Sequence, residues 1–454
     1  MSTIEQIAAA LQGYDPQALT AASVNQFLAK LVEPVTDTER VGVFAALGRV
    51  LAQDVVSPIS VPPHDNSAMD GFALDGSQLI KGQTLTLRLA EGTAFAGKAW
   101  AGVAGAGTCV KIMTGAIMPT GMDTVVPLEL VKVEGDQVHL PVDVLQRGDN
   151  RRFLGEDLMA GQPALRQGQS LGPAALGLIA SLGLAQVPVF RRVKVAYFST
   201  GDEILSLGEP LREGAVYDSN RYTVFGLLTR LGVEVIDMGV VRDEPAALEA
   251  AFRQAAREAD AIITSGGVSM GEADHTKAMM KQLGDVAFWR IAMRPGRPMA
   301  VGKIESPHAP PLRGSLPPMG AEPGLGRPGA GLAEGKPSAV LFGLPGNPVA
   351  VMVTFLAFVR PALQRLMGCT ETQAVFLKAH SAEPLRKKPG RTEYQRGTVT
   401  RGTDGNLTVR TTGNQGSGVL SSMVQANGLI VLHHGQGNVA VGDEVDVMMF
   451  DGVI

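Results

Sequence analysis

Between residues 191 and 368, strand-like and helix-like segments alternate so regularly that few folds remain open to this chain. Apolar runs such as VKVAYF, DAIITSGG and SAVLFGL alternate with amphipathic runs such as NRYTVFGLLTRLG and EPAALEAAFRQAAREA. Asp218-Ser219-Asn220 offers an N-cap before the first of these helices, and Gly232 offers a stop after it. Such alternation is typical of a parallel sheet with helices on both faces. We therefore predict a central, doubly wound α/β domain.

The regions on either side of this domain have different residue patterns. From about residue 80 to 145, short runs such as LTLRLA, TCVKIM and TVVPLE are separated by glycine-rich turns, which predicts a small inserted β domain. Residues 373–454 hold a hairpin pattern around Asp404-Gly405 and further strands, which predicts a small all-β domain. Upstream, apolar residues at helical spacing in 24–36 and 40–56 predict helices.

The segment 305–338 fits none of these patterns, because it has 8 Pro and 7 Gly in 34 residues. Such a composition cannot bury enough apolar surface to offset the entropy cost of ordering the chain. We expect a disordered surface loop without a role in the chemistry, joining the strand-like runs MAVGKI and SAVLFGL.

Composition and charge exclude several classes of function. The net charge is −4 without a long basic run, which argues against nucleic-acid binding. The isolated Cys109 and Cys369 form no metal cluster and suit a reducing compartment. The strongest apolar run, 349–359, has 11 residues, short of the roughly 20 that a membrane span needs. No secretory signal is visible at the N-terminus, so we expect a cytoplasmic protein that does not bind membranes.

Ligands of open parallel sheets bind beyond the carboxyl ends of the strands, where this chain has glycine-rich or acidic loops. These loops are 199–203, 242–244, 265–274 and 343–348. Glu203, Asp243 and Asp274 lie in them, and carboxylate oxygens are ligands that Mg²⁺ prefers. The sequence therefore predicts a divalent metal ion at this edge of the sheet.

The same edge favours an anionic ligand. The glycines of SGGVSMG let backbone amides turn toward an anion at a helix N-terminus, and the arginines of RIAMRPGRP suit paired hydrogen bonds to oxyanions. The candidate contacts are Ser265, Gly266, Gly267, Ser269, Arg290, Arg294 and Arg297. Each element also has a purely structural interpretation: GLPGNP, for example, is explained equally by a turn with Asn347 capping a helix that begins at Pro348. Their shared position at one sheet edge favours a site.

A set of motifs, in order along nearly the whole chain from about 21 to 454, resembles the molybdopterin molybdenumtransferases, the MoeA family, which also matches the E domain of gephyrin. The motifs are PPHDNSAMDGFA, KIMTGAIMPTGMDTVVPLE, NRRFLGED, FSTGDEI, SGGVSMGEADHTK, FWRIAMRPGRP, LPGNPVA and GNQGSGVLSSMVQANGLIVL. The resemblance implies an enzyme that inserts molybdate into the dithiolene of adenylylated molybdopterin, releasing AMP and yielding molybdenum cofactor. It also implies an elongated homodimer and a molybdopterin adenylyltransferase as partner.

The resemblance further implies a division of the chain into subdomains. These are an N-terminal extension (1–20), a composite helical and mixed subdomain (21–60 and 145–190), a β-rich inserted subdomain (61–144), an α/β molybdopterin-binding domain (191–372) and a C-terminal β barrel (373–454).

The family's functional positions match Asp70, Thr114, Arg152, Asp157, Glu203, Asp243, Asp274, Arg290, Arg294, Pro345 and Pro348. Gly346 and Asn347, which lie between the two prolines, are also expected to contact the substrate. Asp70, on the proline-stiffened loop VPPHDNSAMDGFAL, and Thr114 are expected in a cleft shared across the dimer. Arg290 and Arg294 stand where lysine is frequent in the family, and an arginine fork holds oxyanions differently.

Other functions use only part of these features. A nucleotide or pyrophosphate hydrolase needs only the α/β domain and leaves the loop at 61–74 unexplained. A non-catalytic scaffold, as gephyrin also is in animals, makes the acids at 203, 243 and 274 dispensable. Release of AMP only when molybdate is present distinguishes the transferase from both.

Overall fold

The computed structural model describes residues 3–268, 275–306 and 338–450, which form two compact units. The described residues of unit 1 lie within 1–39, 48–50 and 189–454, and those of unit 2 within 40–47 and 51–188. The loop predicted at 305–338 falls almost wholly outside the described residues, as do Ser269 and Asp274. The finer subdomain boundaries stay a prediction.

The described helices are α1 (Thr3–Ala9), α2 (Ala21–Leu31), α3 (Pro173–Ser181), α4 (Ser219–Leu231), α5 (Pro245–Glu258), α6 (His275–Leu283), α7 (Pro348–Thr354), α8 (Arg360–Leu366) and α9 (Ser421–Gln425). The strands are β1 (Thr38–Gly42), β2 (Val55–Val56), β3 (Asn66–Ser67), β4 (Gly71–Leu74), β5 (Leu85–Ala94), β6 (Thr108–Ile112), β7 (Thr124–Pro127), β8 (Lys132–Glu134), β9 (Gln137–Leu140), β10 (Arg151–Arg152), β11 (Pro163–Leu165), β12 (Gln186–Phe190), β13 (Lys194–Thr200), β14 (Ile204–Leu205), β15 (Val216–Tyr217), β16 (Glu234–Val241), β17 (Ala261–Ser265), β18 (Gly284–Arg290), β19 (Met293–Arg294), β20 (Pro298–Glu305), β21 (Ser338–Leu344), β22 (Leu377–Ser381), β23 (Thr392–Arg401), β24 (Leu407–Thr411), β25 (Gly428–Leu432) and β26 (Glu444–Met449). Short 3₁₀ turns are Val43–Ala46, Gly76–Gln78 and Leu128–Leu130.

Unit 1 is built on a six-stranded sheet in the order β16-β13-β17-β21-β20-β18. The first four strands run parallel to one another, whereas β20 runs antiparallel to both of its neighbours, β21 and β18. Neighbouring residues of β13 enter different cores: Tyr197 packs in the cluster that contains Val224 of α4, and Phe198 in the cluster that contains Phe252 of α5. Helices therefore cover both faces, which confirms the doubly wound domain.

The helix termini of unit 1 follow the sequence signals, with one exception. Asp218 caps α4 by accepting a hydrogen bond from the Arg221 N–H at 3.1 Å, and Gly232 ends that helix. The helix α7 begins at Pro348 as expected, but the side chain of Asn347 makes no capping hydrogen bond. Asn347 occupies the N-cap position as predicted, and its Nδ2 donates to Ser417 Oγ at 3.1 Å.

The helices α7 and α8 are continuous through a π-helical turn at Phe355–Val359, giving a helix of 19 residues. In length and composition it is comparable to a membrane span, and it is the one such helix among the described residues. However, 78% of its apolar window is buried inside the protein, as in the core helix of a folded domain.

The C-terminal part of unit 1 is a closed barrel of the strands β23, β24, β22, β26 and β25, because β23 pairs with both β24 and β25. The predicted hairpin at Asp404-Gly405 is present, with the Gly402 N–H donating to the Asn406 carbonyl at 2.8 Å. The β barrel implied by the family resemblance is thus confirmed.

Unit 2 centres on a six-stranded sheet in the order β7-β4-β6-β5-β9-β8, as the β-rich texture predicted. Upstream of it, the helix expected in 24–36 is present as α2, but the helix expected in 40–56 is wrong. That stretch holds β1, a 3₁₀ turn and β2. Gly48 has a φ of +70°, and frequent valines lower the helix propensity further, so apolar spacing alone misled the prediction.

Candidate active site

The loops that follow the parallel strands of unit 1 surround a cleft of ≈ 880 Å³. The predicted site residues that line it are Glu203, Asp243, Gly266, Gly267, Arg294, Arg297, Pro345, Gly346 and Asn347. A second cavity of ≈ 470 Å³ shares Glu203, Gly266 and Asn347 with the cleft and adds Ser265 and Pro348. The sheet topology thus brings together loops that lie up to about 145 residues apart in the sequence.

Other predicted residues lie elsewhere. Arg290 is exposed at the end of β18, outside the lining of the cleft, and its backbone N–H donates to the Pro16 carbonyl at 2.8 Å. Asp70, Thr114, Arg152 and Asp157 belong to unit 2. Ser269 and Asp274 fall outside the described residues.

Two carboxylates line the cleft in different environments. Glu203 is exposed, and its carboxylate has no hydrogen-bond or ion-pair partner within the described ranges. Asp243 Oδ1 accepts a hydrogen bond from the buried Thr276 hydroxyl at 3.1 Å. In the described part of the chain no three metal-ligating side chains converge, and Asp274, the third ligand that we predict, lies outside it. The oxygen donors present fit Mg²⁺ chemically.

The glycine loop after β17 takes a conformation that other residues reach only with strain. Gly266 has a φ of +92°, and a Cβ at this position would lie 2.3 Å from the Thr200 carbonyl oxygen. The Gly266 N–H donates to the Leu344 carbonyl at 3.2 Å, so the contact that Gly266 offers to the cleft is not this amide hydrogen. The amides of Gly267 and Val268 have no acceptor among the described residues and remain candidates for the predicted cradle.

The arginines of the cleft are exposed and uncompensated. Neither Arg294 nor Arg297 forms an ion pair with any residue that the structure describes. Arg396 lies behind them: burial, and to a lesser extent repulsion by the positive charge of Arg294, lowers the pKa of its guanidinium to about 10. Arg294 and Arg297 are therefore available to bind an oxyanion, while Glu203 and Asp243 place two negative charges in the same lining.

The sequence interpretation missed a wall of the cleft that comes from the barrel. Gln415, Gly416 and Ser417 line the cleft. Beneath them Arg396, only 1% exposed, donates to the carbonyls of Asn414 (3.3 Å) and Gly416 (2.9 Å) and to Ser422 Oγ (3.0 Å). The glycine-rich run GNQGSG was the available signal, but its place beside the α/β loops depends on long-range packing.

In unit 2 the structure brings Asp70 and Thr114 together. Asp70 Oδ1 accepts hydrogen bonds from the Thr114 hydroxyl and the Thr114 N–H, both at 2.7 Å, and these bonds lower the pKa of Asp70. Thr114 is exposed and Asp70 is half-buried. The polar loop at 61–74 thus holds an ionised carboxylate at the surface of unit 2.

Asp65, in the same loop, has a structural role. Its Oδ1 accepts from the Leu154 N–H at 2.7 Å and its Oδ2 pairs with Arg151, contacts that lower the pKa of Asp65, the Leu154 bond most. The neighbouring Asn66 pairs with Arg152 between β3 and β10. The loop is therefore joined to the segment that carries Arg152 and Asp157.

We expect Asp65→Asn to destabilise the protein near neutral pH but not in acid. The folded state lowers the pKa of Asp65 below 3.8, so the unfolded state binds more protons in acid. The stabilisation by the Asp65 carboxylate is therefore present above about pH 4 and is lost as the pH falls through the folded-state pKa. The melting temperatures of variant and wild type should differ at neutral pH and converge below about pH 4. Asp136→Asn, at an exposed aspartate, is the control and should follow the wild type throughout; a constant Asp65→Asn deficit at every pH contradicts the prediction.

Comparisons with known proteins agree with this architecture. Three family models match in order: the MoeA N-terminal region (domain I and II) over residues 19–183, the probable molybdopterin binding domain over 196–365 and the MoeA C-terminal region (domain IV) over 378–450. The molybdopterin molybdenumtransferase of Haemophilus influenzae is 38% identical over 436 residues, 95% of this chain and 99% of the relative. That of Nostoc is 33% identical over 439 residues, 95% and 93% of the two chains.

A solved structure shows the same fold. The molybdopterin biosynthesis moeA protein from Pyrococcus horikoshii matches with a TM-score of 0.75 at 25% identity, covering 95% of this chain and 100% of that chain. Similarity to relatives that share one name thus extends over nearly the full length of both chains. The chain therefore belongs to the molybdopterin molybdenumtransferase (MoeA) family and is a transferase of molybdenum cofactor biosynthesis that acts by molybdenum insertion.

Proposed function

We propose that the cleft of unit 1 is where this transferase joins molybdate to adenylylated molybdopterin, with release of AMP to give molybdenum cofactor. The observation that carries the proposal is the convergence of Glu203, Asp243, Arg294 and Arg297 on one cleft beside a glycine loop of positive φ. Molybdate and the substrate phosphates are anions, which uncompensated arginines attract.

The residues of the cleft act by positioning and electrostatics. Arg294, Arg297 and the Gly267 amide hold the oxyanions, so that negative charge developing as AMP leaves meets preorganised donors. The remaining substrate contacts that we propose are Arg152, Asp157, Ser265, Gly266, Ser269, Arg290, Pro345, Gly346, Asn347 and Pro348, with Asp70 and Thr114 as catalytic groups. No covalent nucleophile is needed.

Glu203 and Asp243, together with Asp274, are the residues that would hold Mg²⁺. The fit rests on the free carboxylate of Glu203 and on Asp243, oriented by Thr276, lining one cleft. When bound, Mg²⁺ supplies neutralisation of the pyrophosphate charge. The chain's own contribution is to hold both carboxylates in the lining of the cleft, facing the substrate.

We also propose a cytoplasmic homodimer that receives substrate from the molybdopterin adenylyltransferase. Support for self-association comes from a concentration of exposed apolar side chains along 207–225. Monomeric proteins rarely expose apolar residues in such a concentration. The exposed side chains are Leu207, Leu211, Val216, Tyr217, Tyr222 and Phe225.

If the dimer shares its clefts, mixing two inactive variants should restore activity. We expect Asp70→Ala chains and Asp274→Asn chains to be inactive alone, whereas a heterodimer has one cleft that carries neither lesion. Turnover after mixed refolding, with subunit exchange verified by differently tagged chains, measures this. Mixing wild type with Asp70→Ala is the control for exchange, and exchange without recovered turnover contradicts the shared cleft.

The assay for the proposed reaction is AMP release from adenylylated molybdopterin. We expect release only when both molybdate and Mg²⁺ are present. Release without molybdate supports a hydrolase instead, and no release under any condition supports a non-catalytic scaffold.

A further inference from the structure

We propose that Tyr197 is a positioning residue for the insertion reaction, because its buried hydroxyl ties together the two loops that carry Glu203 and the Gly266-Gly267 turn. The inference rests on the proposed use of the cleft in unit 1. Tyr197 itself does not line that cleft and acts through its neighbours.

The tie is a closed network of three hydroxyl groups on adjacent parallel strands. Ser199 of β13 and Ser265 of β17 are register partners, and Tyr197 lies two residues before Ser199, on the same face of the sheet. The Tyr197 hydroxyl lies 2.7 Å from Ser265 Oγ and 2.9 Å from Ser199 Oγ, and the two serine oxygens lie 3.2 Å apart. All three residues are at most 3% exposed, so water does not replace a lost contact easily.

Each serine stands where its strand ends and a cleft loop begins. Ser199 leads through Thr200 to Glu203, and Ser265 leads directly into the glycine turn. The two loops touch just beyond the tie, where the Gly266 Cα faces the Thr200 carbonyl so closely that no Cβ fits. The tyrosine hydroxyl therefore fixes the separation of the loop that carries the carboxylate and the loop that carries the free amides.

The network has the character of a positioning device rather than of a packing contact. The ring of Tyr197 packs in the apolar cluster with Val224 and Phe342, and a phenylalanine keeps that packing. Burial raises the pKa of Tyr197, so its hydroxyl stays protonated and able to donate. Removing the Tyr197 hydroxyl oxygen leaves the Ser199 and Ser265 hydroxyls hydrogen-bonded only to each other among the described residues, and it allows the two loops to shift.

The test is Tyr197→Phe in the full-length protein, measured by molybdate-dependent AMP release and by melting temperature. We expect kcat to fall by about 10-fold or more, since small misplacements of reacting groups are costly, while KM stays within about 2-fold and the melting temperature changes little. Tyr394→Phe is the matched control, because Tyr394 is also a buried tyrosine of unit 1 and does not line the cleft. It should turn over like the wild type.

A double-mutant cycle separates positioning from a general structural effect. If Tyr197 acts through Ser265, adding Ser265→Ala to Tyr197→Phe should lower kcat no further than the worse single variant does. Wild-type kcat in Tyr197→Phe, additive losses in the double variant, or a loss proportional to unfolded protein each overturn the inference. Absence of molybdate-dependent AMP release in the wild type overturns the proposed function instead, so the two failures are distinguishable.

Discussion

Replacement of Glu203 by glutamine is expected to lower turnover on the order of 10²–10³-fold, the loss typical when one preorganised electrostatic group is removed from an active site. The carboxylate is exposed in the cleft and has no partner among the described residues, so the fold does not depend on it. The melting temperature should therefore stay unchanged. AMP release at saturating molybdate and Mg²⁺, measured beside a thermal melt, checks both parts.

Glu213→Gln is the matched control for this substitution. Glu213 is exposed, belongs to the same connection between β13 and α4, and does not line the cleft, so the same change of charge should leave turnover intact. Equal activity of Glu203→Gln and Glu213→Gln contradicts a role for Glu203 in catalysis or metal binding.

Replacement of Arg396 by methionine is expected to lower the free energy of unfolding by about 3 kcal/mol or more. The substitution leaves the carbonyls of Asn414 and Gly416 and the buried Ser422 hydroxyl without their charged donor, and hydrogen bonds to a charged group each contribute about 1.5–3 kcal/mol. Turnover should fall as well, because these bonds hold the loop whose residues Gln415–Ser417 line the cleft.

The control for Arg396 is Arg401→Met on the same strand. Arg401 is exposed, and the one hydrogen bond of its side chain to a described residue runs from Nε to the Gly405 carbonyl at 3.2 Å. The free energy of unfolding, measured with denaturant, should therefore change by less than about 0.5 kcal/mol. An unfolding free energy of Arg396→Met equal to that of Arg401→Met contradicts the structural role that we assign to the buried guanidinium.

The fold was predictable wherever local signals agreed with one another. The cap at Asp218, the stop at Gly232 and the apolar period between them specify α4 without reference to the rest of the chain. The same reasoning failed in 40–56, where the left-handed Gly48 outweighs helical spacing. At Asn347 it predicted the N-cap position correctly but not the hydrogen bond from its amide to Ser417.

The site was predictable only as far as sheet topology governs it. Loops after parallel strands must meet at one edge, so Glu203, Asp243 and the glycine turn could be placed together in advance. Arg396 and the loop at 414–417 come from the barrel, and no periodicity relates a barrel loop to an α/β cleft. The hydrogen bond from the Gly266 N–H to the Leu344 carbonyl likewise depends on detailed packing.

A crystal structure of the protein with AMP, Mg²⁺ and molybdate tests the assignment of the active site. We predict molybdate and the AMP phosphate in the cleft of unit 1, in contact with Arg294, Arg297 and the Gly267 amide, and Mg²⁺ bound to Glu203 and Asp243. Ligands bound at a site that none of these residues lines contradict this assignment.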